Sequence, residues 1–289
     1  MKKVIISALI IASVGIIKPC SAQDISALLD EETSETTDYT LATFLGNRVV
    51  NGQSSEQLQR NGLDFRIAHR FGSLKEGKNE LYGFDESNSY FTIDYGLSNR
   101  IMIGLGRATD NKLVTANIKA KLLRQSSGKK TIPVTLSFWG GISATTQKFS
   151  NKERNDDFNS RLEYTGQLLI ARKFNNLSIL VSPTYLHRNL VDKQDDANDL
   201  AALGLSGRYK ISSVFDVALE YFWVNQPKNS STAYYNPLSL ALSYQVSHHV
   251  FQVVVSNSHA IAENSVIGRT VNSWAKGDIR LGFNISTVF

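Results

Sequence analysis

The 289-residue chain carries 31 Lys and Arg against 26 Asp and Glu, a formal charge of +5, and a single cysteine. Lys2, Lys3, Lys18 and Cys20 all fall in the first 22 residues, which read as a removable leader, so the mature chain is left at +2 and without a thiol. That balance excludes a basic nucleic-acid binder and a disulfide-stapled scaffold.

The leader is "MKKVIISALIIASVGIIKPCSAQD". Two lysines precede an apolar run from Val4 to Ile17, and Cys20-Ser21-Ala22 supplies small residues for cleavage, so residues 1–22 read as a Sec signal peptide cut after Ala22. Lys18 and Pro19 ahead of Cys20 argue against lipoprotein processing, and the apolar run falls short of the roughly 20 residues a membrane helix needs.

Residues 23–62 read as a periplasmic N-terminal segment. "DISALLDEETSETTDYT", residues 24–40, is acidic and poor in large apolar side chains, the composition of a flexible tail. From Leu41 to Asn61 the text changes: "TLATFLGNRVVNGQ" carries apolar residues and an Asn-Gly turn signal. Two readings stand, an ordered lead-in beneath the following domain or a plug that enters it.

From residue 63 to 289 apolar residues recur with period two, punctuated by turn residues, and twelve strands follow. They are predicted at about 63–71, 88–97, 100–107, 112–123, 132–144, 161–172, 176–187, 199–210, 214–223, 237–246, 249–257 and 276–289. Alternate side chains take opposite faces. Phe215, Val217, Leu219, Tyr221 and Trp223 therefore oppose Asp216 and Glu220, and Val114, Ala116, Ile118, Ala120 and Leu122 oppose Lys119 and Lys121. A soluble barrel could not use a charged face as its core. With the polar face inward and the greasy face on lipid, closure satisfies every backbone group, so the fold class predicted is all-β, a transmembrane antiparallel up-and-down barrel of about twelve strands.

Connection lengths point the same way without reference to hydropathy. Ser98-Asn99, Lys173 to Asn175, Ile211 to Ser213 and Ser247-His248 are short joins, whereas "GSLKEGKNELYGFDES" and "SHAIAENSVIGRTVNSWAK" are long. Short periplasmic turns and long outer loops fit an outer-membrane barrel with both termini in the periplasm. Outward aromatics then form two girdles. Phe91, Tyr164, Tyr185, Tyr221 and Trp223 mark the outer rim, and Tyr95, Tyr209, Phe215, Tyr244, Phe251 and Phe289 the inner one. Arginine at Leu219 or Ile118 is expected to cost ~2–4 kcal/mol, and much less at luminal Ser243.

"LDFRIAHRFGSL", "LSNRIMIGLGR", "KAKLLRQ", "HVFQVVVSNS" and "GDIRLGFNIS" resemble recurring segments of an uncharacterised Bacteroidota outer-membrane barrel family, a domain of unknown function, across about residues 41–289. The resemblance implies barrel and location and brings no activity. The family's Arg after the final Asn-Ile-Ser is Thr287 here. The terminal Phe289 resembles the signal read by bacterial barrel-assembly machinery, which the resemblance implies as a partner during insertion beside outer-membrane lipids.

The inward face carries the acids Asp64, Asp94, Glu163, Asp216, Glu220 and Asp278 and the bases Arg66, Lys119, Lys121, Arg208 and Arg280. A pore selective for one ion sign would show a ring of like charge. This near-neutral set fits either salt bridges between strands or a narrow polar conduit. At the seam between the first and last strands, an Asp64 or Asp278 carboxylate is expected within reach of Arg66 or Arg280.

Enzyme readings fare worse. Ser247 and His249 have the two-residue spacing of outer-membrane phospholipases but fall at a periplasmic turn. No HExxH, CxxCH, P-loop or dinucleotide fingerprint occurs, so no metal or cofactor is expected. The predicted function is a narrow channel or solute-translocating barrel. The alternative is a structural or docking barrel whose outer loops bind a protein partner, and a lipase trails both.

Overall fold

The computed structural model describes residues 36–147, 157–191, 193–227 and 229–289. The predicted signal peptide and most of the acidic tail lie outside the described residues. Twelve antiparallel strands form a closed meander in which every strand pairs with its chain neighbour and the last returns to the first. They are β1 (Leu63–Ser73), β2 (Ser87–Ser98), β3 (Ile101–Ala108), β4 (Leu113–Leu123), β5 (Thr135–Thr145), β6 (Leu162–Phe174), β7 (Leu177–Arg188), β8 (Asp199–Lys210), β9 (Phe215–Val224), β10 (Leu238–Val246), β11 (His249–Ser256) and β12 (Arg280–Val288). Closure leaves no sheet edge, the condition lipid imposes on a spanning β structure.

The period of two becomes two faces. In β9 the pattern of exposed and buried residues alternates from Phe215 to Glu220, with Phe215, Val217 and Leu219 outward and Asp216, Ala218 and Glu220 inward. Val114, Ile118, Leu203, Leu205, Leu240 and Leu242 continue the exposed apolar band. Phe91, Tyr164, Tyr185 and Trp223 stand outward near one end, and Tyr95, Tyr209, Phe215, Tyr244 and Phe251 near the other.

The two ends differ. At the turn end, joins are tight, and Asn175 and Ser247 take positive φ of 50° and 52° to close them. At the loop end, residues 74–86, 189–198, 225–237 and 257–279 form long connections. One join breaks the rule at the turn end. Residues 124–134 run long because Ser126–Gly128 leaves the wall to pair with Thr37–Tyr39, tying the chain's N-terminal side to the barrel mouth.

Two strands depart from the sequence reading for local reasons. β5 starts at Thr135 rather than 132, since Pro133 has no N–H for the ladder. β12 starts at Arg280 rather than 276, because a 3-10 turn at Trp274–Lys276 ends on Gly277 with φ 73°. Asp278 therefore sits in that turn and pairs with Lys75 at 3.3 Å, so its expected place on the luminal face is corrected. Within the wall, Leu168 and Leu169 have no partners opposite Pro183, between the Gln167–Thr184 and Ile170–Val181 pairs. Proline's missing N–H accounts for that gap.

Candidate functional site: the occupied lumen

Two segments fill the barrel, one from each end. From the turn end, residues 42–57 enter as a short hairpin. Arg48 bridges Gln53, Val49 N donates to Gly52 O at 2.9 Å, and Ser54 N donates to Asn47 O at 2.9 Å. The Asn-Gly pair supplies the turn. Phe44, Val49 and Val50 are buried against inward Trp139, Leu169, Leu180 and Val254. Of the two sequence readings of Leu41–Asn61, the plug is the one the structure contains.

The charged wall residues meet this hairpin with a simple division of labour: acids take N–H groups and bases take carbonyls. Glu220 accepts from Val50 N at 3.2 Å, Asn51 N at 3.1 Å and Gly52 N at 2.8 Å. Gly52 is needed here for close approach, since a Cβ would lie 3.0 Å from Phe222 and 3.1 Å from Glu220. Arg66 Nη2 donates to Val50 O at 2.7 Å. Lys119 Nζ donates to the carbonyls of Asn47, Glu56 and Ser54 at 2.9, 3.0 and 3.2 Å. Arg208 holds the carbonyls of Ala42 and Thr43 at 2.8 and 3.2 Å while pairing with Asp216 at 2.8 Å. Asp64 accepts from Asn47 Nδ2 at 3.1 Å. Uncharged neighbours help: Gln252 reaches Val49 O at 3.0 Å and Asn284 reaches Val50 O at 3.1 Å.

From the loop end, the 257–279 connection folds inward and carries helix α1 (Glu263–Arg269), whose residues Glu263 to Gly268 are all buried. Ile261 and Ala262 pack on Ala68, Tyr90, Ala108 and Leu113, and Ile267 packs on Leu186, Leu200, Phe222 and Val224. Glu163 of β6 accepts from Asn264 and pairs with Arg269. Fully buried Arg188 donates to Gly268 O at 3.3 Å and Ala197 O at 2.6 Å.

The inserts touch in mid-lumen. Gln53 N donates to Glu263 Oε1 at 3.1 Å, and Arg48 Nη1 lies 3.8 Å from Glu263 Oε2. A residual cavity of about 20 Å³ remains there, beside Arg48, Glu263, Tyr90 and Asn117.

The other expected site residues fall as follows. Asp94 is buried, with Oδ1 unpartnered. Lys121 stands half-buried at the turn-end mouth. The expected seam ion pair is corrected: β12 and β1 set Arg280 opposite Ser73 and Val288 opposite Asp64, so Arg280 and Asp64 lie at opposite ends of the seam, while Arg66 turns to Val50 O. Arg280 pairs with Glu86 at 3.3 Å, and Asp64 accepts from Ser286 at 2.6 Å. Phe289 is exposed at the turn end, its backbone exchanging hydrogen bonds of 2.8 and 3.1 Å with Leu63. Sequence reading missed Arg70, Arg188, Arg48 and Glu263. Arg70, which holds Asn51 Oδ1 at 2.7 Å, shares parity with Arg66 and was within reach of the alternation. Arg48 and Glu263 lie outside the strands, where no periodicity marks an inward side chain.

Three histidine sites bear on catalysis. On the outer wall, His69 Nδ1 lies 2.8 Å from Ser89 Oγ, and its ring stacks on Phe283 at 5.1 Å. His249 Nδ1 is 2.9 Å from Thr287 Oγ1, and Ser247 is a turn residue. On the outer wall at the loop end, His187 lies 2.7 Å from Asp199, which also accepts from Tyr185. Among the described residues, no serine is hydrogen-bonded to His187 or His249, and no carboxylate pairs with His69.

A family model described as "Membrane bound beta barrel domain (DUF5777)" matches residues 44–289. No curated protein matches the chain. Similar solved structures include a NanC porin (11% identity, TM-score 0.49, covering 78% of this chain and 98% of that one). An outer membrane channel from Pseudomonas putida F1 follows at 10% identity and TM-score 0.48, covering 81% and 97%. Outer membrane phospholipase A from Escherichia coli gives 12% identity and TM-score 0.45, covering 78% and 89%. At such values these likenesses lend the chain no activity.

Proposed function

The chain belongs to the family of membrane-bound β-barrel domains, and from that premise we propose that it is an outer-membrane channel held closed at rest by its own N-terminal hairpin and outer loop. The turn end and both termini face the periplasm in this reading, Phe289 serves recognition by the assembly machinery, and the Bacteroidota origin suggested by the sequence belongs to the same proposal. The observation that carries it is the contact between the inserts, where Gln53 and Arg48 meet Glu263 in mid-lumen. The hairpin is held largely by hydrogen bonds to charged wall residues, contacts that water or a polar solute can replace without exposing the apolar membrane face. The function is read as non-enzymatic: His249 and His187 are engaged with Thr287 and Asp199, and His69, 2.8 Å from Ser89 Oγ, has no carboxylate paired with its ring among the described residues.

Planar-bilayer recording tests the proposal. The intact chain is expected to be electrically silent, and a variant lacking residues 44–55 is expected to show discrete conductance steps. A deletion variant that inserts, migrates as a heat-modifiable barrel and stays silent would leave the structural or docking barrel as the better reading.

A further inference from the structure

At the turn end, three cations gather around a pocket that the luminal network does not use. Arg100 follows the tight β2–β3 turn, Lys121 is the last inward residue of β4, and Arg124 begins the join after it. Their backbones are held together by Lys121 N donating to Arg100 O at 2.8 Å. With Asn99, Tyr39, Leu122 and Leu123 they line a pocket of about 220 Å³. A register shift between Lys121 and Leu123 breaks the alternation. As an extra residue in a strand does, it leaves both Leu122 and Leu123 on the exposed surface. The pocket therefore has a cationic wall and an apolar sill continuous with the lipid-facing band.

None of the three cations has a carboxylate within 4.0 Å among the described residues. Arg124 stacks its guanidinium 4.8 Å over the Tyr39 ring and reaches only Thr40 O, at 3.5 Å. Tyr39 is brought there by the ladder that pairs Thr37–Tyr39 with Ser126–Gly128. The chain thus fixes an aromatic ring beside three positive charges that form no ion pair, Glu56 acting on Lys121 only from beyond contact distance.

We propose that this pocket binds the phosphodiester headgroup of an anionic glycerophospholipid. Arg100, Lys121 and Arg124 face the phosphate, and the acyl chains leave over Leu122 and Leu123. A phosphate suits the cluster because guanidinium groups donate in a planar fork to its oxygens. A lipid, rather than a free anion, suits the sill, where a soluble ligand would leave two leucines without use. The site also bears on the closed barrel: a lipid seated here contacts Tyr39, just ahead of the luminal hairpin. The inference rests on the wall being lipid-facing and is independent of whether the hairpin gates a channel.

The test is native mass spectrometry of the full chain, released from nanodiscs containing equal phosphatidylglycerol and phosphatidylcholine, with heat-modifiable migration confirming the barrel in each sample. The intact protein should retain phosphatidylglycerol in preference to phosphatidylcholine. Arg100→Gln, Lys121→Gln and Arg124→Gln should each weaken that retention about fivefold, the scale of one basic residue at an anionic membrane surface. Lys129→Gln with Lys130→Gln should leave it unchanged. Arg100→Gln is the variant read if the others fail to assemble, since Arg100 is exposed. Equal retention of both lipids would overturn the proposal. So would full retention in Arg100→Gln, or displacement of the lipid by millimolar inorganic phosphate, which would assign the pocket to a soluble anion. Loss of heat modifiability in the intact chain would instead strike at the barrel reading itself.

Discussion

The two inserts occupy one lumen with different attachments to the wall. The hairpin's backbone is held by Glu220, Arg66, Lys119 and Arg208, with Phe44, Val49 and Val50 buried beside those contacts. Helix α1 and its approach are seated by apolar contacts, with Ile261 and Ala262 in one cluster and Ile267 in another, and by the Glu163–Arg269 pair. The loop is also tethered at both ends, by β11 and β12, whereas the hairpin is tethered within the wall only through β1. The charged wall groups that hold the hairpin's amides and carbonyls can be replaced by water if it leaves, whereas the loop is fixed by the chain at both ends. The difference teaches that the hairpin is the part suited to withdraw and the loop the part suited to stay.

Glu220→Ala should give the largest effect. It leaves three backbone N–H groups without their acceptor inside the barrel, and each buried donor left unsatisfied costs about 1–3 kcal/mol. Hydrogen exchange should accelerate across residues 49–54 while 263–268 stay protected, and Glu220→Gln, which keeps a carbonyl acceptor, should do less. Equal acceleration in both inserts would break the comparison.

Arginine substitutions sharpen it. Leu219→Arg should cost ~2–4 kcal/mol whether or not the hairpin is present, because Leu219 faces lipid. Ser243 was expected from the sequence to tolerate arginine as a lumen residue. It is instead fully buried against Gln252, which holds the hairpin's Val49 O. Ser243→Arg should therefore destabilise the intact chain and become tolerated once residues 44–55 are removed, as read by heat-modifiable migration. Tolerance in both backgrounds would mean that the hairpin does not fill the lumen in solution.

For the loop, Ile267→Val removes one methylene from its pocket, at about 1 kcal/mol. Faster exchange should then be confined to α1 and leave residues 49–54 unchanged.

The wall was legible because a strand in a barrel shows the same choice at every second residue. A run such as Phe215 to Trp223 repeats its message several times, and one exception does not erase it. The lumen's contents were not legible for the opposite reason. Glu220 and Lys119 were read correctly as inward-facing, yet their partners are backbone groups of residues 47–56, and a backbone N–H or carbonyl carries no mark in the sequence. The same gap explains the seam. Parity placed Arg66 and Arg280 inward, but whether they meet Asp64 depends on strand stagger, which puts Arg280 beside Ser73. Asp278 failed because the positive φ of Gly277 ends the outer loop four residues later than the period suggested.

The smallest expected effect lies outside the wall, where two outer loops are tied together. Asp196 accepts from Ser230 Oγ at 2.7 Å, Tyr234 OH at 2.8 Å and Lys193 N at 3.2 Å. Burial alone would raise the Asp196 carboxyl. The hydrogen bonds from Ser230, Tyr234 and Lys193, with the nearby Arg188 charge, outweigh it and hold the pKa below the ordinary value. Tyr234 is pushed up to about 12, first by burial and then by its bond to Asp196, so it remains a donor at every acidic pH. The folded pKa of Asp196 being depressed, its contribution is fully present above the unfolded value, near ~3.9. It is lost as pH falls from there through the lower folded value. Hydrogen exchange, corrected for intrinsic rate, should show residues 193–198 and 230–234 loosening together over that window while the hairpin and α1 keep their protection. Asp196→Asn should flatten the dependence, and a dependence that survives the substitution would assign the tie to another group.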